Sequence, residues 1–131
     1  MIQVNPAMLL VRHKAIVSEL YKSGKAILKV FDGAIPVAPT IAPTGRLIAT
    51  VYTKSATAPV VTTTTTAIDF DDGLIAFDST PTFARLYCGD GTVVLDATIG
   101  AESSSEPLKY STADFYLGGL MKVTSLYIKE G

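Results

Sequence analysis

The sequence predicts a mainly β domain: an antiparallel β-sandwich or jelly-roll-like barrel preceded by one N-terminal α-helix. Three observations predict it. Helical spacing of apolar residues is confined to the first two dozen positions. Thr is absent before residue 40 and abundant afterwards, and β-branched side chains suit a pleated surface. Beyond residue 24, short apolar-rich runs alternate with Asp, Gly and Pro turn signals at fairly regular spacing, the grammar of a sandwich or barrel.

The helix is expected over residues 6–22. Asn5 is a good N-cap and Pro6 suits the first helical position. Leu9, Leu10, His13, Ile16, Val17, Leu20 and Tyr21 recur on one face. Gly24 is a natural stop, with Lys22 near the negative end of the dipole. This divides the chain into an N-terminal helical segment, 1–24, and a β domain, 25–131, which together make one domain.

The strands follow in order. Lys25–Phe31 alternates, with Lys25 and Lys29 on one face and Ala26, Leu28 and Val30 on the other, and Asp32-Gly33 turns the chain. Residues 34–45 carry Pro36, Pro39, Pro43 and Gly45 and read as a loop or extended edge. Arg46–Thr53 is a second strand. Residues 54–66 are Thr-rich and β-compatible. Ala67–Phe70 and Leu74–Phe77 flank Asp71-Asp72-Gly73 and read as a hairpin or a turn between short strands. Thr82–Cys88 and Thr92–Ile99 make a clearer hairpin around Gly89-Asp90-Gly91. Residues 100–107 form a surface loop, 108–117 hold a short strand, Gly118-Gly119 turns, and Leu120–Lys129 closes the domain.

Composition narrows the function. The 131 residues carry a net charge of −1, with 48% apolar and 18% charged residues. That disfavours a strongly basic nucleic-acid binder, and no nucleic-acid site is evident. The apolar content is too high for a disordered chain. It is high for a lone soluble monomer, which points to surface buried against partners. No apolar run approaches the length of a membrane helix, and the start lacks a signal-peptide pattern, so no membrane role is expected. One Cys precludes an intrachain disulfide and agrees with a reducing compartment.

Candidate chemical sites are weak. Asp69, Asp71, Asp72 and Asp78 offer carboxylates but lack a calcium-loop spacing, and they read as solvated turn residues. His13 has no second His and no identifiable partner, so it reads as a partly buried or interface histidine. Cys88 reads as a small packing residue. Gly89-Asp90-Gly91-Thr92 lacks the Lys-Ser/Thr ending of a phosphate loop. Arg12, Lys14, Lys22 and Lys25 form at most a weak positive helix face. The expectation is a non-enzyme with no catalytic residue, no metal and no cofactor. The Thr run at 62–66 and the Pro-rich stretch at 36–43 suit either an ordinary loop or a strand laid along a neighbouring subunit.

The order of segments resembles that of a family of small tailed-bacteriophage and prophage virion-associated structural proteins. The resemblance rests on Ser23-Gly24-Lys25, on Val30-Phe31-Asp32-Gly33-Ala34-Ile35-Pro36, and on the strand Leu47–Thr53. It continues through Thr82-Phe83-Ala84-Arg85-Leu86-Tyr87, Gly89–Thr92, Val94-Leu95-Asp96, Ile99-Gly100 and Gly118-Gly119. It spans about residues 12–128, carried by the order of turns and strand ends. Pro59–Thr66 and the Glu/Ser-rich segment after Gly100 depart from the family pattern.

The resemblance implies a virion protein, assembled in the host cytoplasm, of the head or head–tail region: a neck, collar or connector component, ahead of a capsid decoration protein. Its expected partners are other virion proteins (portal, connector, tail or capsid subunits) and further copies of itself in a homo-oligomer. The contact residues expected are Leu9, Leu10, Ile16, Leu20 and Tyr21 of the helix, packing within the chain or between subunits, and the aromatics Tyr110, Phe115 and Tyr116. The loops at 34–45, 54–66 and 100–119 are expected to supply further contacts. A host-surface-binding module is the competing class, for which Tyr110, Phe115, Tyr116 and Tyr127 would be the aromatics.

Overall fold

A computed structural model describes residues 5–63, 65–111 and 117–129. It is mainly β, with a helix α1 (Pro6–Leu20) and nine strands among the described residues. The strands are β1 (Ile27–Phe31), β2 (Leu47–Tyr52), β3 (Thr65–Ile68), β4 (Gly73–Leu74), β5 (Phe83–Tyr87), β6 (Val93–Ala101), β7 (Leu108–Tyr110), β8 (Leu120–Met121) and β9 (Val123–Lys129).

Seven strands form one curled sheet in the order β2-β1-β5-β6-β7-β9-β3, and β4 pairs with β8. The segment after β3 then hydrogen-bonds to β2, the opposite edge. Asp71 N donates to Tyr52 O at 2.9 Å, Lys54 N to Asp69 O at 3.1 Å, and Ala76 N to Ile48 O at 2.6 Å. Thr53 bridges Phe70, and Ala49 bridges Ile75. The sheet therefore closes on itself as a barrel, which removes most free edges.

The core follows from the register. Leu28 faces Val51 and Leu86 across its two ladders, and Leu86 faces Leu95. Val30 likewise faces Ala49 and Ala84, and Ala84 faces Ala97. Ile99, Leu108, Leu126 and Ile68 continue the row across the remaining strands. Because side chains alternate along a strand, each row occupies one face. These residues, with Leu20 of α1, form the buried apolar cluster. The small Ala49, Ala84 and Ala97 let the rows fit a narrow interior.

The helix begins as its sequence predicts: Asn5 Oδ1 accepts from Ala7 N at 2.9 Å. It ends at Leu20, two residues before the expected 22, because Tyr21 leaves helical geometry and Gly24 turns the chain at φ +92°. His13, Val17 and Leu20, spaced four and three apart, are its buried residues. The 25–31 alternation is also observed, with Ala26, Leu28 and Val30 fully buried.

Three features resolve or depart from the expectation. Of the two readings of the segments 67–70 and 74–77, the turn between short strands is observed and the hairpin is not: β3 pairs with β9 and β4 with β8. The chain between them is drawn onto β2, so the Asp-Asp-Gly turn serves a change of partner. The sheet is mixed, because β6 and β7 run parallel. Parallel neighbours usually need a crossover of about a dozen residues. Here residues 102–107 suffice, since Ser104 folds back and its hydroxyl donates to Ala101 O at 2.7 Å. A Cβ on Gly100 would lie 2.4 Å from Ser104 Oγ, so that return needs a glycine. Finally, the closing strand is divided into β8 and β9 at Lys122, and the strand expected within 108–117 covers Leu108–Tyr110.

Candidate interaction surface

Exposed apolar side chains lie on three segments joined at β2, β4 and β8. The first is the loop 33–45, which contains no charged residue. Its neck is closed by backbone and side chain together. Asp32 N donates to Arg46 O at 3.2 Å, and Arg46 N donates to Asp32 Oδ1 at 2.5 Å. Asp32 Oδ2 also accepts from Ser79 Oγ at 2.7 Å. These bonds hold the Asp32 carboxyl below the usual carboxylate range, the Ser79 hydroxyl contributing most and the Arg46 amide next. Gly45 is fixed by this closeness: a Cβ there would fall 1.7 Å from Asp32 O. The result is a compact Ω-type loop on a rigid neck. Ile35, Val37 and Ile41 project from it, Val37 with 94% of its surface exposed.

The second and third segments are 74–79 and 117–121. Ser79 bonds to Asp32, and the Arg46 guanidinium lies 4.8 Å from the centroid of the Phe77 ring, so this chain abuts the loop neck. Asp78 accepts a hydrogen bond from Leu117 N. Ile75 N donates to Gly119 O at 2.8 Å, and Gly118 N to Ile75 O at 2.9 Å. Leu74 and Leu120 are cross-strand partners. Strand alternation sends Gly73 and Met121 inward and Leu74 and Leu120 outward. Leu74 is 67% and Leu117 68% exposed, with Phe77, Leu120 and the nearby Leu47 of β2 also exposed.

A second depression lies between α1 and the 54–61 chain. It has a volume of about 470 Å³, with Val17, Tyr21, Pro59 and Val61 in its wall and Lys14 and Lys22 at its margin. A smaller pocket of about 280 Å³ adjoins it, sharing Tyr21 and Pro59 and reaching Asp69. Lys22 is paired with Glu19 at 2.6 Å. The Tyr21 phenol is pushed up, by burial first, against a hydrogen bond with Thr53 that lowers it. Met8, Val11 and Val60 are exposed on the helix and the 54–61 chain.

The residues expected to make contacts fall in several places. Leu20 is fully buried in the barrel core, so it packs within the chain. Tyr21 and Tyr110 are half-buried against that core. Leu9, Leu10 and Ile16 are half-buried. Phe115 and Tyr116 lie outside the described residues, as does the side chain of Tyr127. Leu74, Phe77, Leu120 and Leu47 were not singled out by sequence, because each sits in a short strand or turn where alternation alone does not assign the outer face. The uncharged run 33–45 was a legible signal for the loop.

The side chains of His13 and Cys88 are buried, and the Nδ1 atom of His13 has no hydrogen-bond partner among the described residues. His13 is fully buried and shares a hydrogen bond of 2.6 Å between Nε2 and Thr66 Oγ1. The buried Cys88 thiol donates to Asp90 Oδ1 at 2.7 Å. That bond, with the Thr92 backbone N–H next, holds the Asp90 carboxyl far below its usual range. Lys25 lies 3.9 Å from Asp71, and Asp69 and Asp72 are exposed. Among the described residues, no three His, Cys, Asp or Glu side chains are grouped to hold a metal ion. No described helix is long and apolar enough to cross a membrane.

Comparison of the chain with family models, curated proteins and solved structures found no match in any of the three.

Proposed function

We propose that this chain is a structural subunit of a tailed-bacteriophage virion, working through subunit contacts in the head or the neck, collar or connector region. The observation that carries the contact role is the apolar end of the barrel formed by loop 33–45, β4 and β8. A small barrel with several exposed apolar side chains on loop 33–45 and on the β4–β8 pair suits burial in an assembly. The order of turn and strand motifs resembling small virion proteins supplies the location. A single His and a single Cys leave little material for a nucleophile–base pair, which favours a role without catalysis.

Cryo-electron microscopy of the source particle tests this reading. The expected result is density for the barrel in a ring at the head–tail junction, with the apolar end against a neighbour. Density at capsid lattice points would replace the neck position with a decoration role. Absence of the chain from purified particles would overturn the virion assignment.

A further inference from the structure

We infer that the groove between α1 and the 54–61 chain binds an acidic, extended segment of a partner protein, in the pattern carboxylate, spacer, apolar residue, spacer, carboxylate. The inference uses none of the residues that carry the contact role proposed above. The first argument is shape. One continuous depression of about 470 Å³ runs beside the helix, within the roughly 300–1,000 Å³ of ordinary ligand sites. The pocket of about 280 Å³ continues it past Tyr21 and Pro59. Val17, Pro59 and Val61 give the depression an apolar wall that suits one apolar side chain. Ser18 and Tyr21 bring hydroxyls to the same depression, where they can bond a peptide backbone.

The second argument is charge. Lys14 and Lys22 line this depression, and no acidic side chain does. Among the described residues Lys14 makes no ion pair. Lys22 pairs with the exposed Glu19, and exposed pairs of this kind add little stability and exchange readily for another carboxylate. The adjoining pocket is balanced, with Lys54 and Asp69 both in its wall, so the cationic stretch is the one from Lys14 to Lys22. A lysine at each end of an apolar wall selects against an uncharged or basic occupant. The third argument is spacing. The helical turn carries on to Lys22, whose N donates to Glu19 O at 3.4 Å, so the two lysines stand about 12 Å apart along the axis. In an extended chain, residues four apart lie on one face and about 13 Å apart. Two carboxylates at that spacing meet both lysines, and the residue midway between them faces the same way, onto Val17 and Val61.

Nuclear magnetic resonance titration of the isotope-labelled full chain tests the inference. The probe is the capped peptide Ser-Glu-Thr-Leu-Thr-Glu-Ser, added to about 3 mM, above the ~1 mM dissociation constant of a weak contact. Saturable shifts are expected at the amides of Val17, Ser18, Tyr21 and Val61, shrinking as salt rises from about 50 to 300 mM. A peptide with Lys in place of both Glu should leave these amides unmoved, and one with its two Glu adjacent should bind at least about twofold more weakly. Lys14 is exposed, so Lys14→Ala and Lys14→Glu should keep the wild-type circular dichroism spectrum and melting temperature. Lys14→Ala should weaken binding roughly threefold to fivefold, as the loss of one exposed ion pair does, and Lys14→Glu should weaken it further. Val37→Ser, on loop 33–45, should bind like wild type. The absence of saturable shifts at these amides overturns the inference, as do equal responses to the Glu and Lys peptides or a folded Lys14→Glu variant that binds like wild type. Equal binding of the adjacent-Glu peptide overturns the spacing and with it the assigned occupant. The titration uses the isolated chain, so its result does not depend on the virion reading.

Discussion

Replacing Leu20 with Ala asks whether α1 is part of the barrel or an arm resting on it. Leu20 is fully buried and belongs to the same apolar cluster as Leu28, Leu86 and Ile99. Truncation to Ala removes three carbon groups, a transfer loss of about 2.4 kcal/mol at ~0.8 kcal/mol each. The cavity left behind adds to this, and buried Leu→Ala changes elsewhere span roughly 2.7–5 kcal/mol. The expected destabilisation is therefore about 3 kcal/mol, and the melting temperature should fall by roughly 10 °C for a chain of this size. The chain has six Tyr and no Trp, so urea unfolding is followed by far-ultraviolet circular dichroism and tyrosine fluorescence together. Coincident transitions would support two-state analysis. Val11→Ala, at an exposed helix position, is the control and should cost less than about 0.5 kcal/mol. A Leu20→Ala cost below about 1 kcal/mol would refute the reasoning, because the helix would then detach without disturbing the barrel.

Two further predictions follow from buried or partnered charges. Arg85 and Asp96 form a two-pronged ion pair, at 2.7 and 3.0 Å, with side chains only 3% and 7% exposed. Arg85→Met leaves the Asp96 charge buried alone and should cost about 3 kcal/mol or more, whereas Arg85→Met with Asp96→Leu should recover most of the loss. Chemical denaturation of the two variants checks this; equal stabilities would refute it. Asp32 has a folded-state pKa below its ordinary value of 3.8, so its contribution is present above the ordinary carboxylate range and lost as pH falls through the depressed value. The Arg46 amide resonance should titrate with a midpoint below 3.8 and lose that step in Asp32→Asn; a midpoint at or above 3.8 would show that the neck hydrogen bonds do not hold the carboxylate.

The elements most legible in the sequence are those whose signal is local. Asn5-Pro6 sets the helix start by capping chemistry, and Gly24 and Gly91 mark turns at which φ is positive. The alternation of Ala26, Leu28 and Val30 against Lys25 and Lys29 states which face of β1 is inside. The hairpin of β5 and β6 is also local, with a short glycine loop between its strands. The elements left open or misread depend on distant partners. For Asp71-Asp72-Gly73 a hairpin and a turn between short strands looked alike, and only β2 and the β8–β9 chain, which take the strands on either side, decide for the turn. The parallel β6–β7 pair is hidden for the same reason. Nothing in residues 102–107 announces that the chain doubles back until Gly100 is seen against Ser104. Outer faces of short strands were the least legible: Leu20 sits on the helix's apolar stripe and is buried, whereas Leu74, between Gly73 and Ile75, is exposed only because of how β4 pairs with β8.

Barrel closure also decides how such a subunit makes contacts. An open sheet offers a neighbour its unpaired backbone, and association by strand addition follows. Here Thr65 and Thr66, at the end of the Thr run, already pair with β9, and the 69–76 chain takes the outer edge of β2. The Pro-rich loop has no strand partner and carries Pro36, Pro39 and Pro43, each lacking the N–H that a ladder needs. Backbone addition is thereby disfavoured at both places where the sequence suggested it. What remains for recognition is side-chain surface, and among the described residues its exposed apolar part includes Ile35, Val37 and Ile41 of loop 33–45 and Leu74 and Leu120 of the β4–β8 pair. Fold and contact face are then separable. Core changes such as Leu20→Ala act on stability, whereas Leu74 and Leu117 are exposed, so changes there leave the barrel core intact.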